Sequence, residues 1–570
     1  MPDGIHVTGR LGTLAEVVQA ALARLEKDNI VGRIWSRDHT VWKSEPTEIT
    51  NRLGWLEAPG RMKKRVPEIL AFVHEVRANG FEKVVLLGMG GSSLAPEVLS
   101  RMFSPQPGFP TLTVLDTTHP EAVFRVRASC DLSKTLFVVA TKSGGTVETL
   151  SLFKYFYNQV SALKGTENPG AFFCAITDPG SGLEALGRTL RFRKIFLNDP
   201  DVGGRYSALT LFGLVPAALV GIDVQTLLQR GEAMAETCRR QDDILSGRNP
   251  GLWLGAVLGA AASQGQDKLT LVMDPSFANL ADWVEQLIAE STGKEGKGIV
   301  PVVHEPPGRP EVYGPDRFFV RTLLQGNGAS AVPPVFEDGP EGSAWAEVHI
   351  RAHDVWDAGG LFFLWEFATV VAGHLLGIHP FDQPDVESAK VQAKKMLAAY
   401  LTTGSLPQPP WALRQGCVAL MGDVAASTVE EALRAFVDAV PPEGYIGVHA
   451  YVAPSSTMDE ALQALQEALR NRTKKAVTVG YGPRFLHSTG QLHKGDAGKG
   501  IFLQVTDEPK TDLPIPDEPG GEDSGVTFGT LVTAQALGDR EALLSAGRPV
   551  LRLHILGDAA QTLRAIALHL

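Results

Sequence analysis

Short apolar runs recur through the first half of the chain, at residues 83–87, 112–115, 136–140 and 172–176. Each is short for a helix, rich in Val, Leu, Ile or Phe, and bounded by glycine, hydroxyl or other polar residues. Each therefore predicts a strand buried on both faces. Between them lie stretches with apolar residues at helical spacing, most clearly 147–160. Alternation of this kind predicts a parallel sheet with helices on both faces. Residues 1–80 read differently. They carry amphipathic helical periods at 11–25 and 66–76, and Trp35, Trp42 and Trp55 between them predict packing onto a neighbouring region.

The alternation resumes further on. Residues 269–273 predict a strand, 280–288 a helix, 362–376 a strongly apolar helix and 387–400 another helix. Strands are predicted at 445–452, 476–480 and 501–505, with a helix at 458–469. The segment 331–342 (AVPPVFEDGPEG) reads as a linker or long loop, and the acidic, Pro- and Gly-rich 507–525 as a mobile loop. The chain ends on a short αβα stretch, 528–570. The expected fold class is α/β: a helical region 1–80, a doubly wound parallel-sheet domain 81–265, and a second α/β domain 266–570 that includes the 380–400 helix.

Composition narrows the classes. At 570 residues two or three domains are expected. The net charge of -11, without a long basic run, argues against nucleic-acid binding, so an anionic ligand needs local positive charge. No continuous apolar run is long enough to span a bilayer, and the N-terminus lacks the apolar stretch of a secretory signal. Cys130, Cys174, Cys238 and Cys417 are scattered without metal-ligand spacing, which suits a reducing cytoplasm. No metal or cofactor is expected.

The candidate chemistry sits in loops. Thr141, Lys142, Ser143, Gly144, Gly145 and Thr146 follow a predicted strand and precede a helix. Backbone N–H groups, the helix dipole, three hydroxyls and a lysine make a site for a phosphate there. The nucleotide pattern G-x-x-x-x-G-K-[ST] is absent, and an ordinary capped turn is the plainer alternative. A second loop, GMGGSSLAP, follows the strand at 83–87, where the glycines permit close backbone approach and Ser92 or Ser93 can cap the helix that begins nearby or bind an anion there. Two such loops at the C-terminal ends of parallel strands lie where open α/β sheets bind ligands. Arg205 in VGGRYS is a candidate contact or simply a turn arginine. Glu290 in AESTGKEGKG is a candidate base, while Lys294, Glu295 and Lys297 could equally form a solvated loop.

Together GMGGSSLAP, TKSGGTVET, VGGRYS, ESTGKEGKG and FDQPDVESAK resemble the glucose-6-phosphate isomerase family, which is built from two sugar-isomerase (SIS) domains. GYGPRFLHSTGQLHKG is similar to the isomerase half of transaldolase–isomerase fusions. The resemblance implies a phosphate site at Ser92, Thr141, Ser143 and Thr146 with Lys142 beside them. It implies Glu290 as the base, Arg205 near the reacting carbons, and Gln383 and Lys390 from the FDQ motif, where Asp385 replaces the usual glycine. The family's G-x-x-Q-H motif is missing from 291–379. The segment around His487 resembles it instead, with His493 the runner-up, so the second domain has permuted motif order.

The implied activity is interconversion of glucose 6-phosphate and fructose 6-phosphate through a cis-enediolate, in a homodimer whose sites a partner completes. Alternatives are an isomerase that also takes mannose 6-phosphate, and a non-catalytic sugar-phosphate sensor, which would not need Glu290, Arg205 and Lys390.

Overall fold

In the computed structural model of the chain, residues 4–242, 244–325, 345–423 and 425–570 are described; the stretch 331–342 read as a linker lies outside them. A short strand β1 (His6–Arg10) precedes helices at Ala15–Lys27 and Val66–Ala78. The apolar runs that follow form a parallel sheet of β2 (Lys83–Gly88), β3 (Thr111–Leu115), β4 (Thr135–Ala140), β5 (Phe173–Thr177) and β6 (Lys194–Leu197). Its spatial order is β3-β2-β4-β5-β6. Strand order therefore reverses between β2 and β4, which makes the crevice at their C-terminal ends the topological switch point. Every position of β4 is buried, as a continuous apolar run in a central parallel strand requires. Helix α1 (Val147–Ser161) leaves the C-terminal end of β4 after the hydroxyl-rich loop.

Beyond residue 266 the strands divide between two sheets, where the sequence suggested one. β7 (Lys268–Met273), β8 (Val300–Val302), β9 (Arg317–Leu324) and β10 (Glu347–Ala352) run parallel in the order β10-β9-β7-β8, and β1 closes the β10 edge antiparallel. The next sheet contains β11 (Leu413–Gln415), β12 (Val418–Met421), β13 (Tyr445–Tyr451), β14 (Ala476–Tyr481) and β15 (Gly500–Asp507). After a short ribbon of β16 (Pro514–Ile515) and β17 (Val526–Thr527), β18 (Val550–Ile555) joins it, in the order β11-β12-β18-β15-β13-β14. Strand pairing is non-local, so alternation along the chain does not reveal where one sheet ends and another begins. β9 escaped the apolar-run criterion because it carries buried arginine: Arg317 donates to Glu305 Oε1 at 2.9 Å, and both side chains are out of solvent.

The first two sheets share the largest apolar core with the helices between them, and the third sheet has a separate core of its own. α2 (Leu280–Thr292) follows β7, and α3 (Ala358–Leu376) runs through the core. The span Val355–Leu376 has the length and apolar content of a membrane-crossing helix but is mostly buried within the protein. Glu366 and His374 interrupt it, so it does not stand out as an unbroken apolar run. A Cβ added to Gly255, on the helix Pro250–Ser263, would lie 2.6 Å from Val371 Cβ of α3, so glycine sets the spacing of that pair. The three tryptophans of the N-terminal region pack as expected. Trp42 donates to Val370 O at 2.8 Å, Trp35 stacks on Phe363 and Phe367, and Trp55 stacks on Tyr206. α4 (Val386–Thr403) lies against α6 (Phe528–Ser545), and the short α5 (Gly490–Gly495) follows β14. The stretch 507–525 is pinned to α1 rather than loose: Lys154 donates to Asp517 O and Asn158 to Gly521 O, each at 2.6 Å. Its Pro and Gly content shapes a ribbon that local composition does not distinguish from a loop.

Candidate active site

The two loops of the first sheet flank its switch point. Gly90 takes a φ of +52°, which glycine adopts without a Cβ penalty. A Cβ on Gly91 would lie 2.1 Å from Gly204 O, so this loop rests directly on the backbone of the VGGRYS segment. Ser93 is held by Asp116 Oδ2 at 3.1 Å and Gly90 O, and Ser92 is the neighbouring hydroxyl in the turn. In the other loop Thr146 is the N-cap of α1 but makes no side-chain cap; its Oγ1 meets Thr141 Oγ1 at 2.8 Å. Thr146 thus occupies the N-cap position without a side-chain capping bond. Ser143 is exposed and accepts from Gly145 N at 3.3 Å. Lys142 turns toward Asp178, with which it pairs, and donates to Pro200 O at 2.9 Å.

A buried carboxylate–guanidinium pair faces these loops. Glu290, near the C-terminal end of α2, has Oε1 3.2 Å from Arg205 NH1, and its Oε2 accepts from Gln286 at 3.1 Å. The Arg205 fork is fully engaged: it donates to Ser291 Oγ at 2.8 Å, Gln383 Oε1 at 2.9 Å, Pro380 O at 2.8 Å and Asp382 O at 3.0 Å. A planar guanidinium fixes several acceptors at once, and lysine could not. Tyr206 grips two of the same acceptors, Ser291 Oγ and Pro380 O. Burial pushes its phenol up to about 12, so it remains a hydroxyl through the neutral range. Lys294 is buried rather than solvated and donates to Asp382 O at 2.5 Å and Asp382 Oδ1 at 2.8 Å. Burial, and then the neighbouring Arg205 charge, bring its ammonium down to about 8. Glu295 and Lys297 do lie toward the surface.

The third sheet contributes from the opposite side. His487, in the turn after β14, places Nε2 3.2 Å from Glu148 Oε1 on α1. Its carbonyl accepts from Gln286 at 2.8 Å, and a Cβ on Gly90 would lie 3.0 Å from His487 Cβ. Glu148 also accepts from Gln535 at 2.7 Å, and Gln535 accepts from Thr118 at 2.6 Å. Burial works against ionisation of Glu148, but His487, with Lys390 adding, outweighs it and holds the carboxyl below its ordinary value. His493 lies elsewhere, buried against His449 at 3.0 Å in a network with Asp539 and Lys494.

Ser92, Arg205, Glu290, Gln383 and His487 are therefore joined through direct contacts or through the loops that carry them. Lys390 is not drawn in by a hydrogen bond: it is 41% exposed and pairs with Glu387 at 2.7 Å. Glu148 and Gln286 are the residues that motif reading passed over. Gln286 precedes Glu290 by four positions, a spacing that places both on one helix face. Glu148 sits in the first turn after the hydroxyl loop.

A parallel-stranded α/β enzyme with hydroxyl-bearing strand-end loops and a buried carboxylate–guanidinium pair is the class this arrangement defines. Residues 61–303 match the model of the phosphoglucose isomerase family. The glucose-6-phosphate isomerase of Rubrobacter xylanophilus is 27% identical over 425 residues, covering 65% of this chain and 94% of that one. That of Carboxydothermus hydrogenoformans is 34% identical over 253 residues, covering 42% of this chain and 53% of that one. Among solved structures, a hypothetical protein from Thermus thermophilus is similar with a TM-score of 0.57 and 24% identity, over 69% of this chain and 100% of that one. A glucose-6-phosphate isomerase from Chlamydia trachomatis is similar with a TM-score of 0.56 and 18% identity, over 70% of this chain and 89% of that one. The resemblance to glucose-6-phosphate isomerases drawn from the motifs agrees with these matches.

Proposed function

We propose that the chain interconverts glucose 6-phosphate and fructose 6-phosphate. The observation that carries this is the buried Glu290–Arg205 pair, set against a sheet switch point with two hydroxyl-bearing loops. The phosphate is held by Ser92, Thr141, Ser143 and Thr146 with the α1 N-terminus, while Lys142 beside them is paired with Asp178. Binding at this remote group positions the sugar for reaction. His487, oriented by Glu148, moves the proton that opens the ring, and Lys390, whose charge already bears on Glu148, assists. Glu290 then takes the proton from C2 and returns it to C1 through a cis-enediolate. Arg205 stabilises the oxygen on which negative charge develops, in a site largely closed to water. Gln383 holds the guanidinium in place.

A homodimer whose sites a partner completes follows from the resemblance; within one chain Arg205 contacts Glu290 and Gln383, and Gln286 links Glu290 to the His487 carbonyl. The four cysteines are free thiols, three of them buried, which suits the cytoplasm.

The test is conversion of fructose 6-phosphate to glucose 6-phosphate by the purified chain beside Glu290→Gln. Removal of a positioned base lowers kcat by about 10²–10⁴-fold while binding is retained. Binding without turnover in the wild type would favour a sensor, and equal turnover in both proteins would exclude Glu290 as the base.

A further inference from the structure

At the junction of the second and third sheets one buried amide bridges the segments that carry site residues. Gln491, on α5, is fully out of solvent. Its Oε1 accepts from the backbone N–H of Asp385 at 2.9 Å. Its Nε2 donates to Asp385 Oδ2 at 2.5 Å and to Gly293 O at 3.0 Å. The acceptor and both donors are thus used, and every bond goes to a segment that carries a residue of the site. Gly293 caps the end of α2 just beyond Glu290, and Asp385 lies between Gln383 and Lys390. Gln491 itself follows His487 in the same loop-and-helix stretch.

The backbones are equally close at this point. A Cβ on Gly293 would lie 2.3 Å from Leu492 Cα, and one on Gly495 would lie 2.5 Å from both Asp385 Oδ2 and Gly293 O. Gly296 N donates to Gly495 O at 3.0 Å. Position 385 is where the resembling family usually has glycine, and glycine offers no carboxylate to Gln491. Asp385 is the residue before α4, but its side chain makes no cap bond with that helix, so the carboxylate is committed to Gln491.

We propose that Gln491 and Asp385 form a positioning latch that fixes Glu290, the Gln383–Arg205 contact and His487 relative to one another. Neither latch residue touches the reacting atoms. This rests on the isomerase reading. In a proton transfer between neighbouring carbons the base, the charge-stabilising group and the ring-opening acid must all be in register, and displacement of about 1 Å from a remote change costs on the order of 10²-fold in rate. The phosphate loops belong to the first sheet and do not hang on the latch. Losing it therefore disturbs chemistry more than binding.

The experiment compares the full chain with Gln491→Met, Asp385→Gly, the pair combined, and Asp385→Asn, measuring kcat and KM for fructose 6-phosphate. Gln491→Met and Asp385→Gly are each expected to lower kcat about tenfold or more, with KM changed by no more than about threefold. The combined variant is expected to be no worse than the weaker single one, because both break the same unit. Asp385→Asn, whose amide oxygen still accepts from Gln491, is expected to keep most of the activity. Losses that multiply in the combined variant, losses confined to KM, or unchanged kcat in Asp385→Gly would each overturn the latch while leaving the isomerase reading standing. Should Gln491→Met fail to fold, the two Asp385 variants, in a partly exposed turn, still decide the matter. A wild-type chain with no turnover would overturn the isomerase reading itself, and the latch with it.

Discussion

His487 Nε2 stands 3.2 Å from Glu148 Oε1, although 339 positions of sequence separate the two residues. One belongs to the turn after β14 of the third sheet and the other to the first turn of α1 on the first sheet. A carboxylate beside an imidazole fixes its orientation and tautomer.

This contact makes a graded prediction. His487→Ala is expected to lower kcat by about 10²-fold, as removal of a general acid does, and Glu148→Gln by roughly tenfold. The double variant should match His487→Ala alone, since Glu148 acts through the imidazole. Steady-state kinetics on the four proteins checks it, and multiplicative losses would mean the residues work separately.

Arg205 holds Ser291, Gln383 and two carbonyls while facing Glu290. Lysine keeps the charge but cannot reproduce that fork. Arg205→Lys should reduce kcat by about 10²-fold or more, with sugar-phosphate binding largely kept because the phosphate loops are intact. Calorimetric titration with the substrate, beside turnover, distinguishes this from a general loss of fold.

Gly91 tests the close approach of two loops. A Cβ there would meet the Gly204 carbonyl at 2.1 Å, and neither backbone can give way as a flexible side chain could. Gly91→Ala should destabilise the protein by roughly 1–3 kcal/mol, the range for overpacking, and should also raise KM and lower kcat by displacing Ser92 and Arg205 together. Thermal unfolding with kinetics on the same sample provides the check. A variant with unchanged midpoint and activity would show that the loops need not touch.

Glu366 offers a pH prediction in the core. Its carboxyl is 1% exposed, Oε1 has no hydrogen-bond partner among the described residues, and burial alone raises its pKa well above the ordinary 4.5. Above that ordinary value the unfolded chain loses this proton while the folded chain keeps it. The native state then binds more protons, and the Glu366 contribution to stability declines as pH rises. Glu366→Gln removes the dependence. Its melting temperature relative to wild type should therefore climb between pH 5 and pH 8, by roughly 1–3 °C. A difference that stays constant with pH would mean the group is charged in the folded protein.

The apolar runs at 83–87 and 136–140 identified their strands because central parallel strands are buried on both faces and must be continuously apolar, whereas the run at 112–115 forms an edge strand that is only partly buried, not the doubly buried one its composition predicted. The same local signals marked the loop at Thr141–Thr146 and the glycines beside Ser92, since tight strand-to-helix turns need small and hydroxylated residues. Motif strings likewise singled out Arg205, Glu290, Gln383 and His487, each carried by a short stretch of recognisable neighbours. Sequence could not divide 266–570 into two sheets, because strand pairing depends on contacts between distant residues. Nor could it show Arg317 inside β9 or Lys294 in the interior, since the partners that let those charges be buried, Glu305 and Asp382, are chosen in space. Chain order determined which residues the motifs single out. Only the packing of three sheets decided that Glu148 would face His487, and that Gln491 would close on Asp385 and Gly293, because hydrogen bonds of about 3 Å are set by the tertiary fold and not by spacing along the chain.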